Sequence, residues 1–221
     1  MANEYKTTET IRRRYNRFSP LYDFIESKAG KNRFRRWREL LWSRAEGVRI
    51  LEVGVGTGGS LEYYPQGNEL TAIDFSPRML QRAREKAIGQ QAAGRLLLMD
   101  VQDLGFRDNT FDTVVASLVF CTVPDPVRGF REIGRVVKPG GKVLLLEHVL
   151  SSNRFMAGLM NMVNPLTLAI LGDNINRKTV ENVAKSGLVV EKVTDLGSIF
   201  KLIEARKKVG SESREASKVI E

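Results

Sequence analysis

The chain has 221 residues, 42% of them apolar and 28% charged, with a formal net charge of +9. That length suits one domain able to bury roughly 70% of its unfolded surface, and the composition excludes a disordered chain. A single cysteine, Cys121, excludes an internal disulfide, and with only one histidine beside it no structural zinc cluster is expected.

The charge is uneven. Residues 1–48 hold twelve Lys/Arg against six Asp/Glu, a surplus that suits a solvated basic face, nucleic acid, an anionic membrane or an anionic substrate. The first twenty residues contain no apolar signal-peptide core. Next comes "NRFRRWRELLW" (32–42), a helical pattern with Phe34, Trp37, Leu40 and Leu41 on one side and Arg35, Arg36 and Arg38 beside or opposite them. A basic helix carrying tryptophan fits an anionic bilayer surface, and equally fits a helix packed on a sheet.

From residue 49 the pattern alternates. "RILEVG" (49–54), "ELTAIDF" (69–75), "RLLLMD" (95–100), "FDTVVASL" (111–118) and "KVLLLEHV" (142–149) read as buried parallel strands. Ser76-Pro77 and Asp125-Pro126 each place a capping residue before a proline at the first helical position. "KPGG" (138–141) stops the second helix. The result is a βαβ array with helices on the sheet. The apolar stretch "FMAGLMNMVNPLTLAILG" (155–172), interrupted by Asn161, Asn164 and Pro165, is a poor transmembrane span. Its Met156, Met160 and Met162 suit either an adaptable lid over a greasy ligand or core packing. "LVVEKVTDL" (188–196) and "SIFKLIEARKK" (198–208), parted by Gly197, form an antiparallel hairpin, and residues 209–221 read as a mobile tail.

Open α/β sheets bind ligands outside the carboxyl ends of their strands. Here those ends carry Gly54, Asp74, Asp100, Ser117 and Glu147-His148. "ILEVGVGTGG" (50–59) fits G-x-G-x-x-G, the dinucleotide loop, and also G-x-G-x-G, the S-adenosylmethionine loop. Asp74, 20 residues after Gly54, suits a ribose, which both ligands carry. The small remainder after the fifth strand favours S-adenosylmethionine, because a dinucleotide enzyme usually needs a second nucleotide-binding half. Asp100 is placed to accept the adenine amino group while the Val101 amide donates to the ring.

"LEVGVGTG", "AIDFSPRMLQRAREKA", "MDVQDLGFRDNTFDTVVAS" and "REIGRVVKPGGKVLLLEH" resemble, in order and spacing, the motifs of class I S-adenosylmethionine-dependent methyltransferases, over about residues 10 to 206. Within that class the chain resembles the ubiquinone/menaquinone C-methyltransferases and the bacterial phosphatidylethanolamine N-methyltransferases. "RRRYNRFSPLYDFIE" and "VPDP" point to the phospholipid branch, while "EHV" and "NP...GD...R.T" are similar to membrane-associated thiol methyltransferases. The resemblance implies an α/β, Rossmann-like class I fold: a seven-stranded, mostly parallel sheet with a C-terminal antiparallel hairpin and N-terminal helices. It implies a helical cap at 1–48 facing acceptor or membrane, a catalytic domain at 49–208, and a tail at 209–221.

It also implies site roles. Gly54, Gly56, Thr57 and Gly58 wrap the methionine part of the cofactor, and Glu52 orients that loop or approaches the ammonium group. Asp74, with Phe75, Ser76 and Met79 after it, serves the ribose side; Asp100 and Val101 hold adenine, and Ser117 flanks the sulfonium. His148 at the active edge is the candidate base, and Tyr22 a candidate wall of the acceptor pocket; Tyr15 reads as packing and Cys121 as a small apolar filler. No metal is expected. The acceptor is a lipophilic small molecule: phosphatidylethanolamine first, then a quinone ring carbon or a thiol. The protein is expected in the cytoplasm, peripheral at the inner membrane surface. A nucleic-acid methyltransferase is disfavoured, because "SLVFCTVPDP" stands where an asparagine-proline-proline-aromatic motif would be. A non-catalytic S-adenosylmethionine-binding protein is the alternative of another class.

Overall fold

The computed structural model describes residues 8–14, 16, 31–90, 94–151, 153–170 and 173–209. Residues 8–14 are helical. Then follow α1 (Lys31–Trp42), β1 (Arg49–Val53), a 3-10 turn (Leu61–Tyr63), β2 (Glu69–Asp74), α2 (Pro77–Gln90), β3 (Arg95–Leu98) and β4 (Phe111–Ser117). The remainder is α3 (Pro126–Val136), β5 (Val137–His148), α4 (Arg154–Ile170), α5 (Thr179–Lys185), β6 (Val189–Asp195) and β7 (Phe200–Arg206).

The seven strands form one sheet in the order β3-β2-β1-β4-β5-β7-β6. β1 to β5 pair in parallel, whereas β7 runs antiparallel to both β5 and β6. The expected seven-stranded, mostly parallel sheet with its C-terminal antiparallel hairpin is therefore present. Strand side chains alternate between faces, so each strand feeds two cores. Leu51, Val53, Val114, Ala116, Val143 and Leu145 meet Phe130 and Ile133 of α3 on one face. Ile50, Ala72, Val115, Leu144 and Leu146 meet Leu41 and Trp42 of α1 on the other.

Two boundaries moved for physical reasons. β5 starts at Val137, immediately after α3, so "KPGG" lies inside the strand, where a register irregularity between Phe111 and Thr113 accommodates it. Asp112 fastens that amino-terminal edge, accepting from the backbone N–H groups of Val48 (3.0 Å) and Arg49 (2.8 Å) and from Lys138 Nζ (2.5 Å). β3 ends at Leu98; the Met99 N–H still donates to the Asp74 carbonyl of β2 at 3.0 Å, and the chain turns at Asp100 beyond it.

α1 corrects the reading of Trp37 as a membrane contact. Trp37, Leu41 and Trp42 are buried, and Trp37 stacks edge-on with Phe34 at 5.3 Å and against Phe200 at 5.0 Å. The apolar face of this helix is consumed by the sheet. α4 shows the reverse: it runs unbroken through Pro165, and of its three methionines only Met160 is buried.

Candidate active site

A cleft of ≈ 710 Å³, open to solvent, lies at the carboxyl ends of the strands where the strand order reverses between β1 and β4. Its floor is the glycine loop. Gly54 holds φ +71°, and a Cβ there would lie 2.4 Å from Val119 Cγ2, so only glycine lets the β4 loop close down. Gly56 holds φ +55° with nothing within 4 Å of the Cβ position, and it lines the cleft; its missing side chain leaves room for a ligand.

Asp74 ties this loop to the start of α2. One carboxylate oxygen accepts from the Gly56 N–H (2.9 Å) and the other from the Ser76 N–H (2.8 Å). Each oxygen keeps a lone pair for a ribose hydroxyl. Burial pushes the carboxyl up to about 6, against the lowering effect of those two amides. Ser76 is buried and caps α2, its Oγ accepting from the Met79 N–H (3.2 Å). Phe75 and Met79 line the cleft, whereas Ser76 does not.

Glu52 lies elsewhere. It sits on the α1 face of the sheet, buried, with the Tyr64 hydroxyl donating to it. Burial pushes its carboxyl up to about 7 despite the Tyr64 and Ser60 hydroxyls. It is not among the residues lining the cleft, and its partners, the Tyr64 and Ser60 hydroxyls, place it beneath the glycine loop. Thr57 and Gly58 also fall outside the lining.

On the adenine side, Asp100 and Val101 line the cleft beside Met99. Asp100 is fixed by Gln102, whose backbone N–H (2.9 Å) and side-chain amide (3.1 and 3.2 Å) both donate to the carboxylate. The Gln102 carbonyl oxygen in turn accepts from the Asp125 N–H at 2.9 Å, joining β3 to the cap of α3. Gln102 went unread in the sequence, as did Thr8 and Ile11, which reach the cleft from the N-terminal helical segment.

The β4 and β5 tips form the other wall. Ser117 Oγ is buried without a hydrogen-bond partner and faces the cleft. Leu118 holds φ +58°, a conformation costly for a branched side chain. Glu147 stabilises it from behind: one oxygen accepts from the N–H groups of Val119 (3.0 Å) and Phe120 (3.1 Å). Burial pushes Glu147 up to about 7.

His148, the next residue, does not line the cleft; it lies behind the β4 loop with Nε2 3.4 Å from Asp173 Oδ1. Burial opposes its charge, but the neighbouring Asp173 carboxylate, with Glu147, outweighs burial and raises its pKa. Cys121 completes this group: its sulfur, a His148 nitrogen and an Asp173 oxygen lie within 4.8 Å of one another. Counting one cysteine and one histidine gave no reason to expect such a set; the fold supplies Asp173 as the third member. The spacing is compatible with metal ligands of mixed softness and equally with a hydrogen-bonded acid–base pair. Burial, Asp173 and Glu147 hold the Cys121 thiol above its usual range, which disfavours a thiolate nucleophile. Tyr15 and Tyr22 lie outside the described residues.

The cleft fits an adenosine ligand with a sulfonium: a glycine floor with open space, a paired carboxylate with spare lone pairs, and the orphaned Ser117 hydroxyl where β4 ends. Fold and site together define a class I S-adenosylmethionine-dependent methyltransferase. Residues 51–145 match the methyltransferase-domain family. The chain is 42% identical over 142 residues to a phosphatidylethanolamine N-methyltransferase of Cereibacter sphaeroides, covering 63% of this chain and 68% of that one. It is 31% identical over 175 residues to a ubiquinone/menaquinone biosynthesis C-methyltransferase of Geobacter sulfurreducens, covering 74% and 68%. The fold matches the geranyl diphosphate C-methyltransferase of Streptomyces coelicolor, solved with S-adenosyl-L-homocysteine, with a TM-score of 0.65 at 16% identity over 78% and 79% of the two chains. The chain belongs to the S-adenosylmethionine-dependent methyltransferase family, and its cofactor is S-adenosyl-L-methionine.

Proposed function

We propose that this enzyme methylates the amine of phosphatidylethanolamine. The observation that carries the reading is the 42% identity to a relative named for that reaction, against 31% to the quinone relative. In this reading Gly54, Gly56, Asp74, Asp100, Val101 and Ser117 hold the cofactor, with Phe75 and Met79 as apolar walls and Glu52, Thr57, Gly58 and Ser76 supporting from outside the cleft. The bound cofactor supplies an electrophilic methyl group on its sulfonium.

The protein's remaining task is alignment and a proton. An ammonium head group has no lone pair, so one proton must leave before nitrogen can bond to carbon. His148, oriented by Asp173, is the group proposed to take it, and Tyr22 is proposed to line the acceptor side. A neutral His148 is the competent form; its raised pKa places that form at higher pH than an ordinary imidazole would. Because His148 lies behind the β4 loop, this reading requires that loop to move before the acceptor nitrogen comes within hydrogen-bond reach of the imidazole.

Incubation with methyl-labelled S-adenosylmethionine and, separately, phosphatidylethanolamine, demethylmenaquinone and a small thiol tests the assignment. Label in the phospholipid amine is expected. Label only in the quinone or the thiol overturns the acceptor while the methyltransferase class stands.

A further inference from the structure

We propose that α4 is the enzyme's docking face for a lipid surface bearing anionic head groups. This rests on the reading that the acceptor is a membrane lipid. Phe155, Leu159, Met162 and Leu166 recur at spacings of four, three and four, which places them along one side of the helix. They are 80%, 42%, 73% and 60% exposed. A surface helix ordinarily turns such a stripe inward and its polar residues outward. α4 does the opposite.

Its inward side is held by polar contacts. Asn164 Nδ2 donates to Asn174 Oδ1 at 3.2 Å, and Thr167 Oγ1 donates to the Asp173 carbonyl at 3.0 Å. Both partners belong to the segment that carries His148's carboxylate. The exposed stripe and the proposed base therefore share one support, and a lipid beneath α4 lies on the acceptor side of the sheet.

The choice of a lipid surface over a protein partner comes from the charges. From Leu150 to Gly172 there is no acidic residue, and the one charged side chain is Arg154, exposed at the start of the helix. At the far end Arg14 donates to the Leu168 carbonyl at 2.7 Å, bringing the N-terminal segment, with Arg12 and Arg13 paired to the one acid Glu9, against the helix. An apolar stripe with no acid along it, Arg154 at one end and three arginines against one glutamate at the other, complements acyl chains under anionic head groups. A helix of 17 residues spans roughly 25 Å. Among the described residues no helix is long and apolar enough to cross a membrane, so α4 lies in the plane of the surface.

The test is sedimentation of the full chain with vesicles of phosphatidylcholine, with and without an added fraction of phosphatidylglycerol, for wild type and the triple variant Phe155→Ser, Met162→Ser, Leu166→Ser. Wild type is expected to bind anionic vesicles, and the variant to lose at least about tenfold in binding. Cofactor affinity, melting temperature and turnover of a dispersed short-chain acceptor are expected to persist, since the three side chains face solvent. Vesicle binding by the variant equal to wild type overturns the proposal. So does a wild-type dimer in solution that the variant converts to monomer, which would make a second copy the occupant. Binding needs no reactive acceptor in the vesicle, so loss in the variant with no label in any phospholipid would leave the docking face standing and remove the acceptor.

Discussion

The two walls of the cleft are built by different means. On the cofactor side, β1, β2 and β3 deliver Gly54, Gly56, Asp74 and Asp100 within 50 residues, and each contact is short-range: a carboxylate to an amide of a neighbouring loop. On the other side, at and behind the β4 loop, Leu118, Glu147, His148, Asp173 and Arg177 come from three separate stretches, joined by bonds such as Arg177 Nη2 to the Val123 carbonyl at 2.7 Å. A wall made from one local motif specifies one ligand shared by a large family. A wall gathered from distant segments is free to change with the acceptor.

The sharpest way to separate the walls is His148→Ala. If it is the base, kcat falls by ~10²–10⁴ while cofactor affinity is unchanged, as isothermal titration of S-adenosylmethionine would show. The pH profile carries the sign. The rate rises with pH as His148 loses its proton, and Asp173→Asn, by removing the carboxylate that favours the imidazolium, moves that rise to lower pH. An unchanged profile in Asp173→Asn would leave His148 a packing residue.

Asp74→Ala strikes the other wall. Each charge-assisted ribose hydrogen bond lost is expected to cost about 1.5–3 kcal/mol, roughly 10- to 150-fold in Kd, measured by the same titration. The Gly56 and Ser76 amides lose their acceptor too, so melting temperature is expected to drop alongside.

The smallest effect is a pH dependence of cofactor binding. Asp74 is raised to about 6, so the free enzyme binds a proton there as pH falls below that value. Ribose hydroxyls donate to the ionised form, so affinity strengthens as pH rises through about 6 and weakens below it. The limit for one proton is about tenfold per pH unit. For the ligand-free protein the sign reverses: a carboxyl raised on folding stabilises the fold at low pH, and that contribution is lost as pH rises from the unfolded carboxylate range through about 6. A flat affinity between pH 5 and 7 would show that the ribose does not meet an ionised Asp74.

The cofactor wall was largely legible because glycine at a strand-to-helix turn and an acid at a strand tip are local chemistry. The acceptor wall was less so. Nothing in "ASLVF" announces that Leu118 takes a left-handed conformation, since Glu147, almost thirty residues later, supports the amides after it. Gln102 reads as an ordinary loop residue until the fold sets it between Asp100 and Asp125. The helices α1 and α4 show the same limit. Both carry apolar stripes near arginines, and the sequence gives no means of telling which one the sheet covers. Trp37 and Leu41 found Phe200 and the sheet; Phe155 and Met162 found solvent.

The sheet order also bears on how the molecule comes to exist on the ribosome. β5 is complete at His148, yet its second neighbour is β7, with His148 opposite Phe200 and Lys142 opposite Arg206. Synthesis runs from the N-terminus, so the cofactor wall can form while β5 is still an open edge. Residues 200–206 then enter between β5 and β6 as the last strand of the sheet. A chain halted before Phe200 would present an unpaired, strongly apolar strand, the template on which chains pair with one another. Closing that edge and fixing the backbone of His148 are one event, because the same β5–β7 pairing sets His148 opposite Phe200 and covers the open strand.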